Sequence, residues 1–282
     1  HMDILPALPD ASRYQVVLKA HGYGTLASDP ALTSQAIAIT DRTLPQYTQV
    51  TDDWPQSNPM GYAAWFRGRM TVQLTERKMA FAKRERIKAS VDEIPDYKVK
   101  TPLQRAIQLL KRHRDCMFAD DGEHKPISII ITTLAAHAYN EEATISETLQ
   151  SILTGMAAFI EYRGGEAWVA NPVNPAENFA DKWAEAPVKR ESFQRWLEQA
   201  RRDFALYLRV SRFDAMPDEL KEHLGADLVE RTLAAVIPPA VAGPAGPAIV
   251  KGAATDDSDG RVAAAISDIQ RRGSQSKPWA KS

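Results

Sequence analysis

The sequence predicts an α+β fold in which a few β-strands open the chain and a mainly α-helical lobe follows. Three observations predict it. Short runs rich in Val, Ile and Leu, bounded by Pro, Gly and Asp, lie before Asp41. From Gly61 onward apolar residues recur with a helical period. From Ile237 the composition shifts to Ala, Pro and Gly and the periodic face is lost.

Taken in order, Asp3 to Pro9 reads as a strand ending at prolines, and Tyr14 to Lys19 and Ala36 to Thr40 read as further β-like runs. Prolines, Asp52-Asp53 and Ser57-Asn58 make a loop of Thr43 to Pro59, and Gly61 to Ala89 reads as helix carrying many Arg and Lys. Thr101-Pro102 with Gln104 has the pattern of a capping box, opening a helix to Asp115 whose apolar stripe is Leu103, Ala106, Ile107 and Leu110. Lys111 and Arg114 flank that stripe. A second helix follows Pro126 with Ile127, Ile130, Ile131, Leu134 and Ala138 inward, and further helices are expected over Ile145 to Arg163, Glu191 to Tyr207 and Pro217 to Val236. These readings divide the chain into residues 1–51, 52–236 and a tail of 237–282 that carries Asp256 to Gly260 and one short periodic stretch around Val262 to Ile269.

Composition narrows the function. With 282 residues, 44% hydrophobic and 25% charged, the chain can bury a full core. A net charge of -1 excludes a strongly basic nucleic-acid coat and requires any polyanion site to be local. The single cysteine, Cys116, excludes an internal disulfide framework and a multi-thiolate zinc site, which suits a reducing cytosol. No run reaches the roughly 18 consecutive apolar residues of a membrane helix, and no secretory leader opens the chain, so a cytoplasmic protein with no membrane partner is expected. His1 is not an initiator, so His1-Met2 reads as a cloning scar or as a start inside a longer parent.

Among candidate site residues, Asp3 stands on a strand opposite Met2 and Ile4. By itself it is either a solvent-facing carboxylate or part of a metal site. Lys111 reads as an exposed helix charge or a phosphate ligand, and Ser128 as a helix-start residue or a hydroxyl donor beside a positive dipole end. The six histidines show no metal-ligand spacing, so His113 and His137 read as packed or surface residues, while Trp54, Trp65, Trp168 and Trp183 read as packing anchors. The basic run from Arg77 to Lys88 reads first as a solvated helix face, with nucleic-acid binding as the lesser alternative.

Several segments, in order, resemble the bacterial CD-NTases, relatives of the oligoadenylate synthases. They are the opening His-Met-Asp-Ile-Leu-Pro-Ala-Leu-Pro-Asp; Trp54 to Pro59 with Gly61-Tyr62 and Trp65-Phe66; Leu103 to Arg105 through Leu110 to Asp115; and Ile127 to Ala136, while Asn171 to Pro175 with Glu177 to Phe179 and Trp183 is similar to the carboxy-terminal loop of the oligoadenylate synthases. The resemblance spans Met2 to Leu233. It implies a partial nucleotidyltransferase palm followed by a helical lobe, and attack of a ribose hydroxyl on an α-phosphate assisted by two magnesium ions. Asp3 would be a catalytic metal carboxylate, and Lys111 and Ser128 would reach the donor triphosphate. The implied partners are nucleoside triphosphates, ATP or GTP, with a protein activator possible. The implied product is a cyclic di- or trinucleotide for antiphage signalling.

The family's Gly-Ser turn and paired carboxylates do not precede Asp3. Gly273-Ser274 and Asp257-Ser258-Asp259 lie on its wrong side and read as solvated linker. The expectation is that those groups lie upstream of His1 and that this chain alone is catalytically silent. Two alternatives stand beside the cyclic product: a linear nucleotide-adding enzyme on the same scaffold, and a silent truncated binding protein.

Overall fold

The structure, a computed structural model, describes residues 6–41, 43–45, 47–86 and 90–209. Asp3, the expected helix Pro217 to Val236 and the tail lie outside the described residues. The elements are β1 (Ala7–Pro9), α1 (Ala11–Ala20), α2 (Gly24–Ala27), α3 (Pro30–Thr33), β2 (Ile37–Ile39), β3 (Gln56–Ser57), α4 (Pro59–Gly68) and α5 (Thr71–Arg84). These are followed by α6 (Pro102–Met117), α7 (Ser128–Ala138), α8 (Ile145–Gly155), β4 (Glu161–Arg163), β5 (Glu166–Trp168), β6 (Ala170–Asn171), β7 (Asn174–Asn178), α9 (Lys182–Glu185) and α10 (Pro187–Arg209). The α+β class read from the sequence is the class observed: few, short antiparallel strands beside a helical body.

The opening strands form a sheet of order β1-β2-β3, with Ala7 opposite Ile39 and Ile37 opposite Ser57. The run Tyr14 to Lys19, expected as β-like, is instead the body of α1. Its β-branched pair misled, because cover is available only at a spacing of four. Tyr14 and Leu18 are buried with Ala27 and Ala36, whereas Val16 faces solvent. The Tyr14 hydroxyl donates to the Val173 carbonyl at 2.8 Å, fastening this small cluster to a segment 159 residues away.

The single helix expected over Gly61 to Ala89 breaks at Arg69 and Met70 into α4 and α5. Arg69 turns its guanidinium onto the end of α7, donating to the carbonyls of Ala136 at 2.8 Å and Tyr139 at 2.5 Å. These are acceptors that a helix C-terminus leaves without partners. Glu141 reciprocates at the start of α5, its carboxylate accepting from the backbone N–H groups of Val72 and Gln73. Asn58 caps α4 through a 2.8 Å bond from the Gly61 N–H, and a Cβ at Gly61 would meet the Asn58 amide at 2.5 Å, so only glycine fits there.

The main core lies among α6, α7, α8 and α10. The capping box of Thr101 and Gln104 is formed as the sequence indicates, and Leu103, Ala106, Ile107 and Leu110 all point inward. In α7, Ile130, Ile131, Leu134 and Ala138 are buried, but Ile127 is 52% exposed. It is the extended residue before the first turn rather than part of the helical face. The helix expected over Ile145 to Arg163 stops at Gly155, continues as a 3-10 turn over Met156–Phe159, and gives way to the β4–β5 hairpin. Gly164 and Gly165 both take positive φ in that hairpin's two-residue turn, a conformation glycine adopts without steric cost.

Trp54 and Trp183 are buried as expected of packing anchors, while Trp65 and Trp168 are half-buried. His113 is fully buried, its Nε2 2.8 Å from an Asp203 carboxylate oxygen on α10. No described helix is long and apolar enough to cross a membrane.

Candidate nucleotide site at the start of α7

Lys111 and Ser128 are brought to one neighbourhood by Arg114, which stands one turn beyond Lys111 on α6. Arg114 Nη1 donates to Ser128 Oγ and to the Pro126 carbonyl, each at 2.9 Å, while Nε and Nη2 both reach Asp115 Oδ1. Lys125 adds a second cation 3.4 Å from the same Asp115 oxygen. Two cations, Arg114 and Lys125, therefore share one carboxylate beside the first turn of α7.

That turn is open to a ligand. Ser128 is exposed, and α7 has no side-chain cap at its N-terminus. Its first backbone N–H groups therefore add partial positive charge to the cations. Because Ser128 Oγ accepts from Arg114, its own O–H remains a donor. Lys111 is partly buried, has no ion pair among the described residues, and has a pKa lowered by burial first and by the Arg114 charge second, against a smaller opposing effect of Asp115. An incoming anion would favour the charged amine and so oppose both causes.

Lys111 and Ser128 are linked only through Arg114, which feels the Lys111 charge and bonds the Ser128 hydroxyl, while Asp3 lies outside the described residues. Sequence reasoning noted Arg114 only as a flank of the apolar stripe and passed over Lys125. The i, i+3 spacing of Lys111 and Arg114 was the available signal for the former. Among the described residues no group of three His, Cys, Asp or Glu side chains could hold a metal. Two implied magnesium ions accordingly have no cradle within them.

Of the basic run from Arg77 to Lys88, Lys78 is buried, while Lys83, Arg84 and Arg86 are exposed. Arg77 donates to the Ala143 carbonyl, buried Lys78 pairs with Asp96 at 2.6 Å, and Arg84 pairs with Glu85.

The chain is thus α+β, with a helical lobe and a cationic cluster at a helix start. Comparison with known proteins gives it kin. No family model matches the chain. It is 39% identical over 148 residues to the c-di-GMP synthase of Roseivirga ehrenbergii, a match covering 51% of this chain and 38% of that protein. It is 26% identical over 155 residues to the cyclic dinucleotide synthase CdnG of Bradyrhizobium diazoefficiens, covering 50% of this chain and 36% of that one. Among solved structures it is similar to the Bradyrhizobium diazoefficiens CD-NTase CdnG in complex with GTP, at 22% identity and a TM-score of 0.49, over 64% of this chain and 56% of that one. The resemblance to the bacterial CD-NTases read from the motifs is borne out by these relatives. The chain spans well under half the length of the curated relatives it matches.

Proposed function

We propose that the protein to which this chain belongs is a nucleotidyltransferase that joins nucleoside triphosphates, GTP or ATP, into a cyclic dinucleotide. The observation that carries this reading is the 39% identity to a c-di-GMP synthase over half the chain. The cluster at the start of α7 supports it chemically. In this reading Lys111 supplies a compact charge to the donor triphosphate, the Ser128 hydroxyl and the first N–H groups of α7 add donors, and Arg114 holds Ser128 in place. Asp3 supplies a carboxylate where the attacking ribose hydroxyl meets the α-phosphate, and magnesium is the metal expected. A cytoplasmic site of action and a role in antiphage signalling complete the reading.

The test is turnover of labelled GTP and ATP with magnesium by the product of the complete reading frame, beside the same protein carrying Asp3→Asn. A phosphatase-resistant product that the substitution abolishes supports the reading. A product that keeps a terminal phosphate favours a linear nucleotide-adding enzyme instead, and no product from either protein rejects nucleotidyl transfer.

A further inference from the structure

A cavity of about 480 Å³ opens toward the other end of α7. Thr133, Leu134 and His137 of α7 line it, with Trp65 of α4, Phe159, the β4 residues Glu161 and Arg163, and Tyr23. Ser128 and His137 are about 13 Å apart along the helix axis, so this cavity is separate from the phosphate cluster.

Rings of Tyr23, Trp65, His137 and Phe159 form part of its wall beside aliphatic and proline residues, and its Glu161 and Arg163 charges cancel. A continuous row of rings runs Phe179, Tyr62, Trp65, His137, Phe159, with centroid spacings of 6.2, 5.4, 5.0 and 5.2 Å. The last pair is stacked at 20°, and Phe159 at the end of the row is 41% exposed. Arg163 is fully engaged: its Nε and Nη2 donate to Glu161 Oε2, and its Nη1 donates to the Pro175 carbonyl. The guanidinium also lies over the Trp168 ring at 4.5 Å. The cavity therefore offers an incoming phosphate no net positive charge, unlike the cluster at the helix start.

What it does offer is a stacking surface with a few unused polar atoms. Both Arg163 bonds to Glu161 fall on Oε2, so Oε1 has no partner among the described residues and can accept from an N–H. Neither ring nitrogen of His137 has a hydrogen-bond partner among the described residues. Burial first, and the Arg69 charge second, hold the His137 pKa below its ordinary value, so the ring is neutral near pH 7 and presents one donor and one acceptor. Planar rings, a mixed polar edge and neutrality match a nitrogen heterocycle rather than an anion or an aliphatic chain.

We propose that this cavity is a second, phosphate-independent binding site for a purine base or nucleoside, which extends the row of rings at Phe159 and places its polar edge on His137 and Glu161.

Calorimetric titration of the 282-residue chain with guanosine and with adenosine tests it. At least one nucleoside is expected to bind saturably at millimolar concentration and not to be displaced by ribose 5-phosphate. Phe159→Leu keeps apolar bulk against His137 but removes the π face, and should weaken binding about tenfold. Phe159→Trp should restore it, and Lys111→Ala should leave it unchanged. The proposal is overturned if neither nucleoside binds, if Phe159→Leu binds as tightly as the parent, or if ribose 5-phosphate or Lys111→Ala abolishes binding. The last result would place the ligand at the phosphate cluster, so failure here is separable from failure of nucleotidyl transfer.

Discussion

Arg114 Nη1 donates to Ser128 Oγ at 2.9 Å, and the same nitrogen donates to the carbonyl of Pro126, so one side chain of α6 sets the first turn of α7. The Arg114 Nε and Nη2 hold Asp115 at the same time, and Lys cannot reproduce that two-sided grip, because its three donors radiate from a single atom on a flexible stem.

Arg114→Lys should therefore preserve charge yet loosen the turn. We expect a loss of about 1 to 2 kcal/mol in urea unfolding, together with weaker GTP binding by the chain. Unchanged stability would mean that the bonds to Pro126 and Ser128 contribute little.

Lys111 is a cleaner probe of the proposed phosphate site, since it has no ion pair among the described residues. Lys111→Ala should lower GTP affinity about tenfold or more, as loss of a hydrogen bond to a charged group does, with little change in the thermal midpoint. Equal affinity by calorimetry would remove Lys111 from the site.

Buried Asp203 accepts from Gln199 at 2.9 Å and lies 2.8 Å from His113 Nε2. Asp203→Ala removes the acceptor of those two bonds and should cost about 1 to 3 kcal/mol. Asp203→Asn retains an acceptor and should cost less. Chemical denaturation of the two variants side by side decides it, and equal losses would contradict the hydrogen-bond account.

His137 gives a pH dependence whose sign is fixed. Its pKa in the fold lies below the ordinary 6.5, chiefly through burial. Between those two values the unfolded chain binds more protons than the folded one, so stability rises with pH there. As pH falls through 6.5 the fold loses this contribution, and the loss levels off below the folded-state value. His137→Phe should flatten the stability profile in that window. A profile as steep as the parent's would show that another group governs it.

The helical lobe was legible because its signals are local. Thr101, Pro102 and Gln104 announce the start of α6 within four residues, and the stripe from Leu103 to Leu110 repeats at the helical period. Tyr14 to Lys19 was misread because its face is chosen by distant cover at Ala27 and Ala36, which no short window contains. The break at Arg69 is equally nonlocal, since it follows from the carbonyls at the end of α7. At the candidate site, Lys111 and Ser128 were reached by resemblance, whereas the role of Arg114 needed the bond itself. The cavity beside His137 draws on segments from Tyr23 to Pro175, and nothing in the local sequence marks their meeting.

The hydrogen bond from Tyr14 to Val173 also bears on the order of events as the chain folds. It closes a loop of 159 residues, whereas α6, α7 and α8 find one another through neighbouring segments. Since distant closures carry their entropic cost before any contact rewards it, the helical lobe should assemble first and α1 should dock late. Pulse-labelled hydrogen exchange would then show amides of α7 protected before those of α1, and Tyr14→Phe would delay the second phase while leaving the first untouched. The opening segment would be a late-closing clasp, held by a phenol on an already finished bundle.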